Sequence, residues 1–533
     1  MKKRAVWCAL AVLPLTAAAL AGCGGGSSGG GGDGVISVGI GEPKSLFVTS
    51  VGETEGHQVI MALYTPLVRY NDNLETELAA AESVTPSEGN KVWTIKLKDG
   101  YTFHNGEKVT SDSYINAWNY GAYGPNAQDL NSYYSKIDGY AAINPTDGST
   151  PATKTLSGLQ KVDDLTFKVT LSAPYSGFMT TLGYTNFMPL PSVAFNDPAA
   201  FQNSPIGNGP FKMKGNWQHD QLIQVEAWDG YTGTKPKVKG VDFKIYQDAG
   251  AQYNDVVGGN LDVVKTIPTQ QIANAKKDLG DRYGQTPSGS FQGLAFPVYQ
   301  KDFENVGVRR AISMAIDRDA IVQTVFANSA VSARSWVSPQ FPGARDNTCG
   351  EWCNYNPTAA KALYTESGGL PNNSLKISYN ADGGHKEWID ATCNQLATNL
   401  GITCTGNPVP KFADLLTSLS KKEAVGMFRQ GWIPDYPTMD NYLEPLYSCD
   451  AAPQPNYSGF CDKTFDEDLA QGFAAADNNA AIPHFQAAES ILAEKLPLLP
   501  MRFGRNNFGY SDKVKNVTID LFYELDLLAL ETK

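Results

Sequence analysis

The chain has 533 residues, of which 42% are hydrophobic and 18% are charged, and its formal net charge at pH 7 is −12. A chain of this length can form two or more compact units, each with its own hydrophobic core. The negative charge argues against nucleic acid as a partner and against flat docking on anionic lipid, because phosphate groups attract basic surfaces.

The N-terminus is organised like an export signal. Basic residues occupy positions 2–4, an apolar stretch covers 5–19, and the tetrapeptide LAGC occupies 20–23. The apolar stretch is shorter than the ~20 residues that a membrane-spanning helix needs. The tetrapeptide resembles the lipobox of bacterial lipoproteins, which implies a signal peptide over 1–22 and a diacylglycerol group on Cys23. An ordinary secretory peptide or a single membrane helix is the alternative.

A flexible spacer follows the signal. After Cys23, residues 24–34 are almost entirely Gly and Ser, and such a segment cannot bury enough apolar surface to fold. Removal of the signal with its three basic residues changes the net charge from −12 to −15. We therefore expect residues 23–34 to tether a folded body to the outer face of the cytoplasmic membrane.

Hydrophobic periodicity predicts a mixed α/β body without an internal repeat. Strands are predicted at 35–40, 92–97 and 166–171, where apolar and polar residues alternate or form a short run. Helical spacing is found at 57–64, at 308–326 and at 482–496, the last of which ends before a proline.

Six cysteines beyond Cys23 fall as three pairs of near neighbours in the C-terminal half. In an oxidising exterior this spacing favours three local disulfides, each contributing ~2–4 kcal/mol through loop entropy, although it does not fix the connectivity. The pairs are Cys349 with Cys353, Cys393 with Cys404, and Cys449 with Cys461. Zinc is the alternative, but the five histidines form no H-x3-H or H-E-x-x-H pair. We expect neither a metal nor a cofactor.

Five segments in order along the body carry a family resemblance. They are GEPKSL at 41–46, ALYTPLVRY at 62–70, WTIKLKDGYTFHNGE at 93–107, PIGNGPF at 205–211 and VRRAISMAIDR at 308–318. Together they resemble the extracytoplasmic peptide-binding proteins of ABC importers, the oligopeptide- and dipeptide-binding family. Most of these residues are expected to hold the fold: His104 as a hydrogen-bonded turn residue, and Arg309, Arg310 and Asp317 as charges that pair beside one helix.

The resemblance implies a two-lobed α/β periplasmic-binding-protein fold, with a ligand cleft between lobes that are joined by two chain crossings. The first lobe would be assembled from 35–78, 205–290 and 499–533. An extra sub-domain of that lobe would be inserted at 79–204, and the second lobe would cover 291–498.

The resemblance also implies where a ligand binds. Asp435 matches an acidic residue that neutralises the α-ammonium of a bound peptide, and the backbone of Gly431 and Trp432 would hydrogen-bond the extended ligand. Arg429 matches a position that reaches a peptide carboxylate in some members, with a framework ion pair as the alternative. Without the resemblance, an Asp before Tyr-Pro indicates a turn cap.

Three further residues complete the predicted site. Glu42 is expected to line the cleft from the first lobe, and Asp440 is a weaker polar candidate. Trp336, together with Trp432, is a candidate aromatic wall for ligand side chains, although buried Trp residues also serve as core.

These features predict a lipid-anchored, monomeric receptor, not an enzyme. It would capture oligopeptides outside the cell and deliver them to the permease subunits of an ABC importer. One alternative keeps the fold with a non-peptide cargo such as a sugar, a metal chelate or another small solute. A secreted hydrolase is a second alternative, but none of the five histidines lies in a catalytic motif. A receptor that binds peptides as signals is a third alternative.

Overall fold

A computed structural model describes residues 34–533, so the predicted signal peptide, Cys23 and linker residues 24–33 lie outside the described residues. The strands are β1 (Val35–Ile40), β2 (Val68–Tyr70), β3 (Thr76–Leu78), β4 (Ala81–Ser87), β5 (Val92–Leu97), β6 (Leu159–Asp163), β7 (Thr166–Thr170), β8 (Phe211–Met213), β9 (Leu222–Ala227), β10 (Gly240–Ile245), β11 (Val263–Val264), β12 (Tyr283–Ala295), β13 (Ala330–Ser332), β14 (Ser374–Asn380), β15 (Thr403–Val409), β16 (Met427–Trp432), β17 (Leu498–Tyr510), β18 (Val514–Lys515) and β19 (Glu531–Thr532). The α-helices are α1 (Thr54–Leu63), α2 (Ser111–Ala122), α3 (Tyr140–Ile143), α4 (Phe178–Thr181), α5 (Pro198–Phe201), α6 (Ala249–Val257), α7 (Ile272–Leu279), α8 (Val306–Met314), α9 (Arg318–Val325), α10 (Pro357–Glu366), α11 (Lys386–Leu400), α12 (Phe412–Ser420), α13 (Asp440–Tyr447), α14 (Lys463–Phe473) and α15 (Asn478–Lys495).

One mixed sheet runs through the body. Its strand order is β15-β14-β16-β12-β17-β11-β1-β10-β9-β8, with β13 also paired to β17. The central strands β12 and β17 are antiparallel and each has 13 residues. Their register shifts between Pro287 and Phe291, and a shift of this kind bends a strand locally. These two strands therefore carry the chain between the two halves of the molecule.

Buried side chains form a large hydrophobic core on each side of these strands. The first core draws on residues 36–263 and 508–530, and the second core draws on 291–503. We call the two parts of the chain that surround these cores the first lobe and the second lobe. The predicted divisions at 290/291 and 498/499 fall in β12 and at the start of β17, and the lobe boundaries stay a prediction.

The segment predicted as an inserted sub-domain has a sheet of its own. Its strands follow the order β4-β5-β7-β6. Trp93, Trp118 and Phe167 are buried behind this sheet and belong to the first core. The segment therefore packs as part of the first lobe.

The helical spacing over 308–326 does not form one helix. α8 ends at Met314 and α9 begins at Arg318, because the Asp317 carboxylate accepts the backbone N–H of Ala320 at 2.9 Å and caps a new helix. The expected pairing of Arg309 with Asp317 is also wrong. The Arg309 guanidinium donates instead to backbone carbonyls, among them those of residues 303, 304, 495 and 496.

Other predicted elements differ from the structure only at their ends. The helix predicted at 57–64 is α1, which begins at Thr54 because the Glu53 side chain caps it. The helix predicted at 482–496 is α15, which begins at Asn478 behind the cap Asp477. The strand predicted at 166–171 is β7 and ends at Thr170.

The three predicted cysteine pairs form disulfides in the structure. They join Cys349 to Cys353, Cys393 to Cys404, and Cys449 to Cys461, and all three lie in the second lobe. No helix of residues 34–533 combines the length and the apolar character that crossing a membrane requires.

Candidate functional site

A cavity of about 960 Å³ lies between the two lobes. Most of its wall comes from the first lobe, from residues 52–74, 183–184, 210–211 and 518–528, and the second lobe contributes Ile433, Pro434 and Asp435. Ligand sites typically enclose ~300–1,000 Å³, so this cavity is at the large end of that range. Its position and size make it the candidate ligand site.

Asp435 is the charged group that the second lobe places at this cavity. The hydroxyl of Tyr133, from the first lobe, donates to Asp435 Oδ2 at 2.7 Å. The backbone N–H of Asp435 donates to Asn441 Oδ1 at 2.8 Å. Among the salt bridges formed by residues 34–533, none involves Asp435. The carboxylate is therefore held by neutral donors and has no cationic partner.

Burial raises the pKa of Asp435 above its usual range, and hydrogen bonds with Tyr133, Tyr184 and Asn441 oppose this shift. A carboxylate removed from water is unfavourable unless a cation or further donors compensate for its lost solvation. A cation that entered the cavity beside Asp435 would supply this compensation. The arrangement is complementary to an ammonium group.

A stack of three rings connects Asp435 to a second carboxylate, that of Glu524. The rings of Tyr133 and Tyr184 stack with centroids 5.1 Å apart, and those of Tyr184 and His57 stack at 5.7 Å. His57 Nδ1 lies 2.9 Å from Glu524 Oε1. Burial lowers the pKa of His57, but the charge of Glu524 and its hydrogen bond raise it more, so the net shift is upward.

Carboxylates outnumber cations on the cavity wall. Arg69 and His57 are the basic residues, and seven acidic residues line the wall with them. Burial raises the pKa of Glu53 to about 7 and that of Asp520 to about 6. The acidic residues are Glu53, Glu55, Asp72, Asp435, Asp520, Glu524 and Asp526. The cavity therefore favours ligands that carry positive charge.

The predicted backbone positions Gly431 and Trp432 lie directly before the cavity wall. They pair with Gln292 and Phe291 on β12, and the wall begins at Ile433. On the other side of β16, β14 pairs only with Met427 and Phe428. The edge of β16 over 429–432 therefore has no partner among the described strands.

Arg429 does not line the cavity that holds Asp435. Its Nε donates to His385 Nε2 at 3.0 Å, and its guanidinium lies 4.9 Å from the centroid of the Phe412 ring. Burial and the nearby charge of Arg502 lower the pKa of Arg429 to about 10. Neither arginine forms a salt bridge with the described residues.

The other predicted site residues make structural contacts outside the cavity wall. Glu42 lies at the surface, where its Oε1 is 2.8 Å from His219 Nδ1. Trp336 is fully buried in the second core, and its Nε1 donates to a backbone carbonyl at 3.1 Å. Asp440 is buried and accepts a hydrogen bond from Tyr175 at 2.9 Å.

Sequence reasoning missed Tyr133, Tyr184, His57 and Glu524. Tyr133 is 302 residues from Asp435 and His57 is 467 residues from Glu524, so no local spacing connects either pair. The one available signal was His57 itself, close behind two glutamates at the start of a predicted helix.

Comparisons with known proteins agree with this architecture. The model of the family described as bacterial extracellular solute-binding proteins, family 5 middle, matches residues 75–454. The chain is 26% identical to the dipeptide-binding protein of Escherichia coli strain K12, over 82% of this chain and 83% of that protein. It is 27% identical to the oligopeptide-binding protein OppA of Bacillus subtilis strain 168, over 89% and 88%.

A solved structure is similar over nearly the whole chain. It is that of Haemophilus influenzae OppA in complex with RPPGFSPFR, with a TM-score of 0.77, 21% sequence identity, and coverage of 94% of this chain and 99% of that one. This likeness confirms the predicted two-lobed α/β fold. Because the family model also matches more than half of the sequence, the chain belongs to family 5 of the bacterial extracellular solute-binding proteins.

Proposed function

We propose that this chain is the substrate-binding component of an ABC importer and that it captures oligopeptides in the cavity between its lobes. This proposal depends on Asp435, whose buried carboxylate lies at the cavity wall, interacts with neutral donors and has no cationic partner within residues 34–533. A receptor for many peptide sequences must read their constant features, namely the terminal charges and the backbone. Two relatives named for dipeptide and oligopeptide binding support this cargo class.

The open edge of β16 supports recognition of the peptide backbone. Residues 429–432 are paired on one side by β12, and their other side has no described partner strand. An extended peptide can add to such an edge through main-chain hydrogen bonds without using its side chains. Gly431 and Trp432 would then contact the ligand through backbone atoms.

Arg429 and Arg502 lie outside the wall of the cavity that holds Asp435, and they support a place for the carboxylate end of a peptide that extends from the cavity along the open edge of β16. Gly431 and Arg502 both pair with Gln292, so Arg429, two residues from Gly431, projects from the same sheet face as Arg502. Two guanidinium groups without a described carboxylate partner suit an anionic group through their paired donors.

The proposal includes the cellular setting. The receptor would be monomeric, tethered through lipidated Cys23 outside the cytoplasm, and would deliver its cargo to membrane permease subunits. Its lobes would divide at the predicted boundaries, which the two separate hydrophobic cores and the long strands β12 and β17 support. It would perform no reaction on the peptide.

Calorimetric titration of residues 24–533 with a tripeptide and with its N-acetylated form tests the role of Asp435. We expect the free peptide to bind and acetylation to weaken binding at least a hundredfold, because breaking a buried charge pair costs ~3–5 kcal/mol. Asp435→Asn should weaken the free peptide to a similar extent. Asp512→Asn, at an exposed position, is the matched control and should bind like the wild type.

Native mass spectrometry of protein purified from a peptide-rich culture tests the cargo class. A series of bound peptide masses that Asp435→Asn removes is the expected result. A single bound non-peptide mass, with equal affinity for the free and acetylated tripeptides, would contradict the proposal and favour another small solute.

A further inference from the structure

We propose that Asp520 and Glu524 form a second cation subsite in the cavity, which takes the basic side chain of a bound peptide, and that His57 positions Glu524. This inference rests on the proposed peptide-binding function and adds a preference within it. It concerns peptides that carry Lys or Arg near their N-terminus.

Glu524 supplies the first observation. It lines the cavity, it is only 8% exposed, and its Oε1 is held 2.9 Å from His57 Nδ1. Its buried Oε2 has no hydrogen-bond partner among the described residues. An unsatisfied buried carboxylate oxygen is unfavourable, and a cationic donor beside it would remove this cost.

Asp520 supplies a second carboxylate on the same segment. Its Oδ1 accepts the backbone N–H groups of Phe522 and Glu524 at 2.8 Å and 2.9 Å, which fixes the turn and leaves Oδ2 for a ligand. Asp520 lines the cavity and the residue as a whole is accessible to solvent, whereas its carboxyl is largely removed from water by the surrounding protein, so Oδ2 can face a ligand there.

The excess of carboxylates on the cavity wall favours a second ligand cation. The α-ammonium of a peptide would occupy the site at Asp435. A protonated His57 would balance one of the two carboxylates of the subsite. Arg69, which donates to the neutral hydroxyl of Tyr231 at 3.1 Å, supplies one further positive charge against the seven acidic residues of the wall. A net negative charge therefore remains beside Asp520 and Glu524, and it attracts a second cation.

The spacing fits an organic cation better than a metal ion. In residues 34–533, the only three His, Cys, Asp or Glu ligand atoms that lie within 4.8 Å of one another belong to Cys449, Cys461 and Asp466, and these two cysteines form a disulfide. Asp520, Glu524 and His57 do not converge to that extent. An ammonium or guanidinium group on a flexible side chain tolerates the wider spacing.

The distance between the two carboxylate sites suits a short peptide. Two ring-stacking steps, of 5.1 Å and 5.7 Å, separate Tyr133, which holds Asp435, from His57, which holds Glu524. An extended peptide advances about 3.4 Å per residue, so the subsite lies within reach of a side chain on one of the first three residues.

Tripeptides of alanine with one lysine test the inference, each compared with the same peptide bearing ε-acetyl-lysine. In the wild type, we expect lysine to bind about tenfold or more tightly than acetyl-lysine for at least one position, because charged hydrogen bonds exceed neutral ones by this order. Glu524→Gln and, independently, Asp520→Asn should reduce this ratio towards one. Glu423→Gln, at an exposed position of the second lobe, should leave it unchanged.

The outcomes separate this inference from the proposed function. If lysine and acetyl-lysine peptides bind the wild type equally at all three positions, the subsite is overturned and peptide binding stands. If no tripeptide binds the wild type, both proposals fall. If the wild type prefers lysine and the ratio persists in both folded variants, the preference arises elsewhere on the acidic wall and the assignment to Asp520 and Glu524 is overturned. The two variants are independent, so either one that folds decides the assignment.

Discussion

Glu53 combines a structural and an electrostatic role at the cavity wall. Its Oε2 accepts the N–H of Gly56 at 2.7 Å and so caps α1, while its Oε1 accepts the N–H of Lys44 at 3.1 Å. Burial raises its pKa from the ordinary value of 4.5 to about 7, and the nearby charge of Glu55 adds to the shift. The helix cap is therefore partly protonated near neutral pH.

This pKa shift predicts a pH-dependent effect of Glu53→Gln on stability. Between pH 4.5 and 7 the folded protein keeps a proton that the unfolded chain releases, so the contribution of Glu53 to stability falls as pH rises through this window. The neutral variant avoids that loss. We expect its melting temperature to match the wild type at pH 5 and to exceed it by about 1–2 °C at pH 8.

Calorimetric melting at both pH values checks this prediction, with the exposed Glu366→Gln as the control. A variant that melts below the wild type at pH 8 would show that the cap requires the ionised carboxylate.

Single residues were predictable from the sequence where they belong to a recognisable segment. His104 is a hydrogen-bonded turn residue, as expected, since its Nδ1 accepts the N–H of Gly207 at 3.1 Å. Gly207 lies so close to α1 that a Cβ there would be 1.9 Å from the carbonyl oxygen of Leu63. By contrast, the contact of Tyr133 with Asp435 depends on how the lobes meet, and no pattern along the chain encodes it.

At the scale of elements, strands and helices were predictable where a periodic pattern of apolar residues ends at a turn residue or a proline. The prediction of one helix over 308–326 was wrong because apolar residues recur at helical spacing on both sides of Asp317. In the structure, the Asp317 side chain caps a second helix, and the spacing alone does not reveal this cap. The unpaired edge of β16 was also beyond prediction, since it depends on where β14 stops pairing.

The Cys449–Cys461 disulfide stabilises the element beside this edge. It joins cysteines with a sequence separation of 12, and within the loop between them the carbonyl of Pro455 accepts a hydrogen bond from Gln430 at 3.2 Å. Replacing both cysteines by Ser should lower the unfolding free energy by about 2–4 kcal/mol. It should also weaken peptide binding, because Gln430 precedes the backbone positions proposed to hold the ligand.

Chemical denaturation and calorimetric titration of this double variant measure the two effects. The Cys349–Cys353 pair, which closes a span of only 4 residues, is the matched control and should alter peptide affinity less. Unchanged peptide affinity in the Cys449/Cys461 variant would show that the loop stabilises the lobe without shaping its binding edge.

At the scale of the whole molecule, a set of contacts between the two lobes holds the cavity closed on one side. We call these contacts the interlobe seam. They comprise Tyr133 with Asp435, Lys136 with Glu444, Tyr175 with Asp440, Asn90 with the carbonyl of Ala475, and Ser176 with the carbonyl of Gly472. The two-lobed architecture was predictable by resemblance, whereas the seam was not, because its partners lie between 265 and 385 residues apart along the chain.

Lys136 is the charged centre of the seam. Its Nζ lies 2.6 Å from Glu444 Oε1 and 4.4 Å from the centroid of the Phe473 ring, so it contacts the second lobe through both charge and an aromatic face. A contact that exists only when the lobes meet shifts the balance between open and closed forms by its own free energy. Half-exposed ion pairs contribute about 0–1 kcal/mol, and the aromatic contact adds to this.

Lys136→Ala should therefore open the ligand-free protein and weaken peptide binding about two- to fivefold, since a ligand must then supply the lost closing energy. Small-angle scattering measures the first effect as a larger radius of gyration, and titration measures the second. Lys96→Ala removes an ion pair with Glu82 that lies within the sheet of the inserted segment, and it should change neither quantity. If Lys136→Ala scatters and binds like the wild type, the seam accompanies closure without stabilising it, and the bend in β12 and β17 would set the position of the lobes.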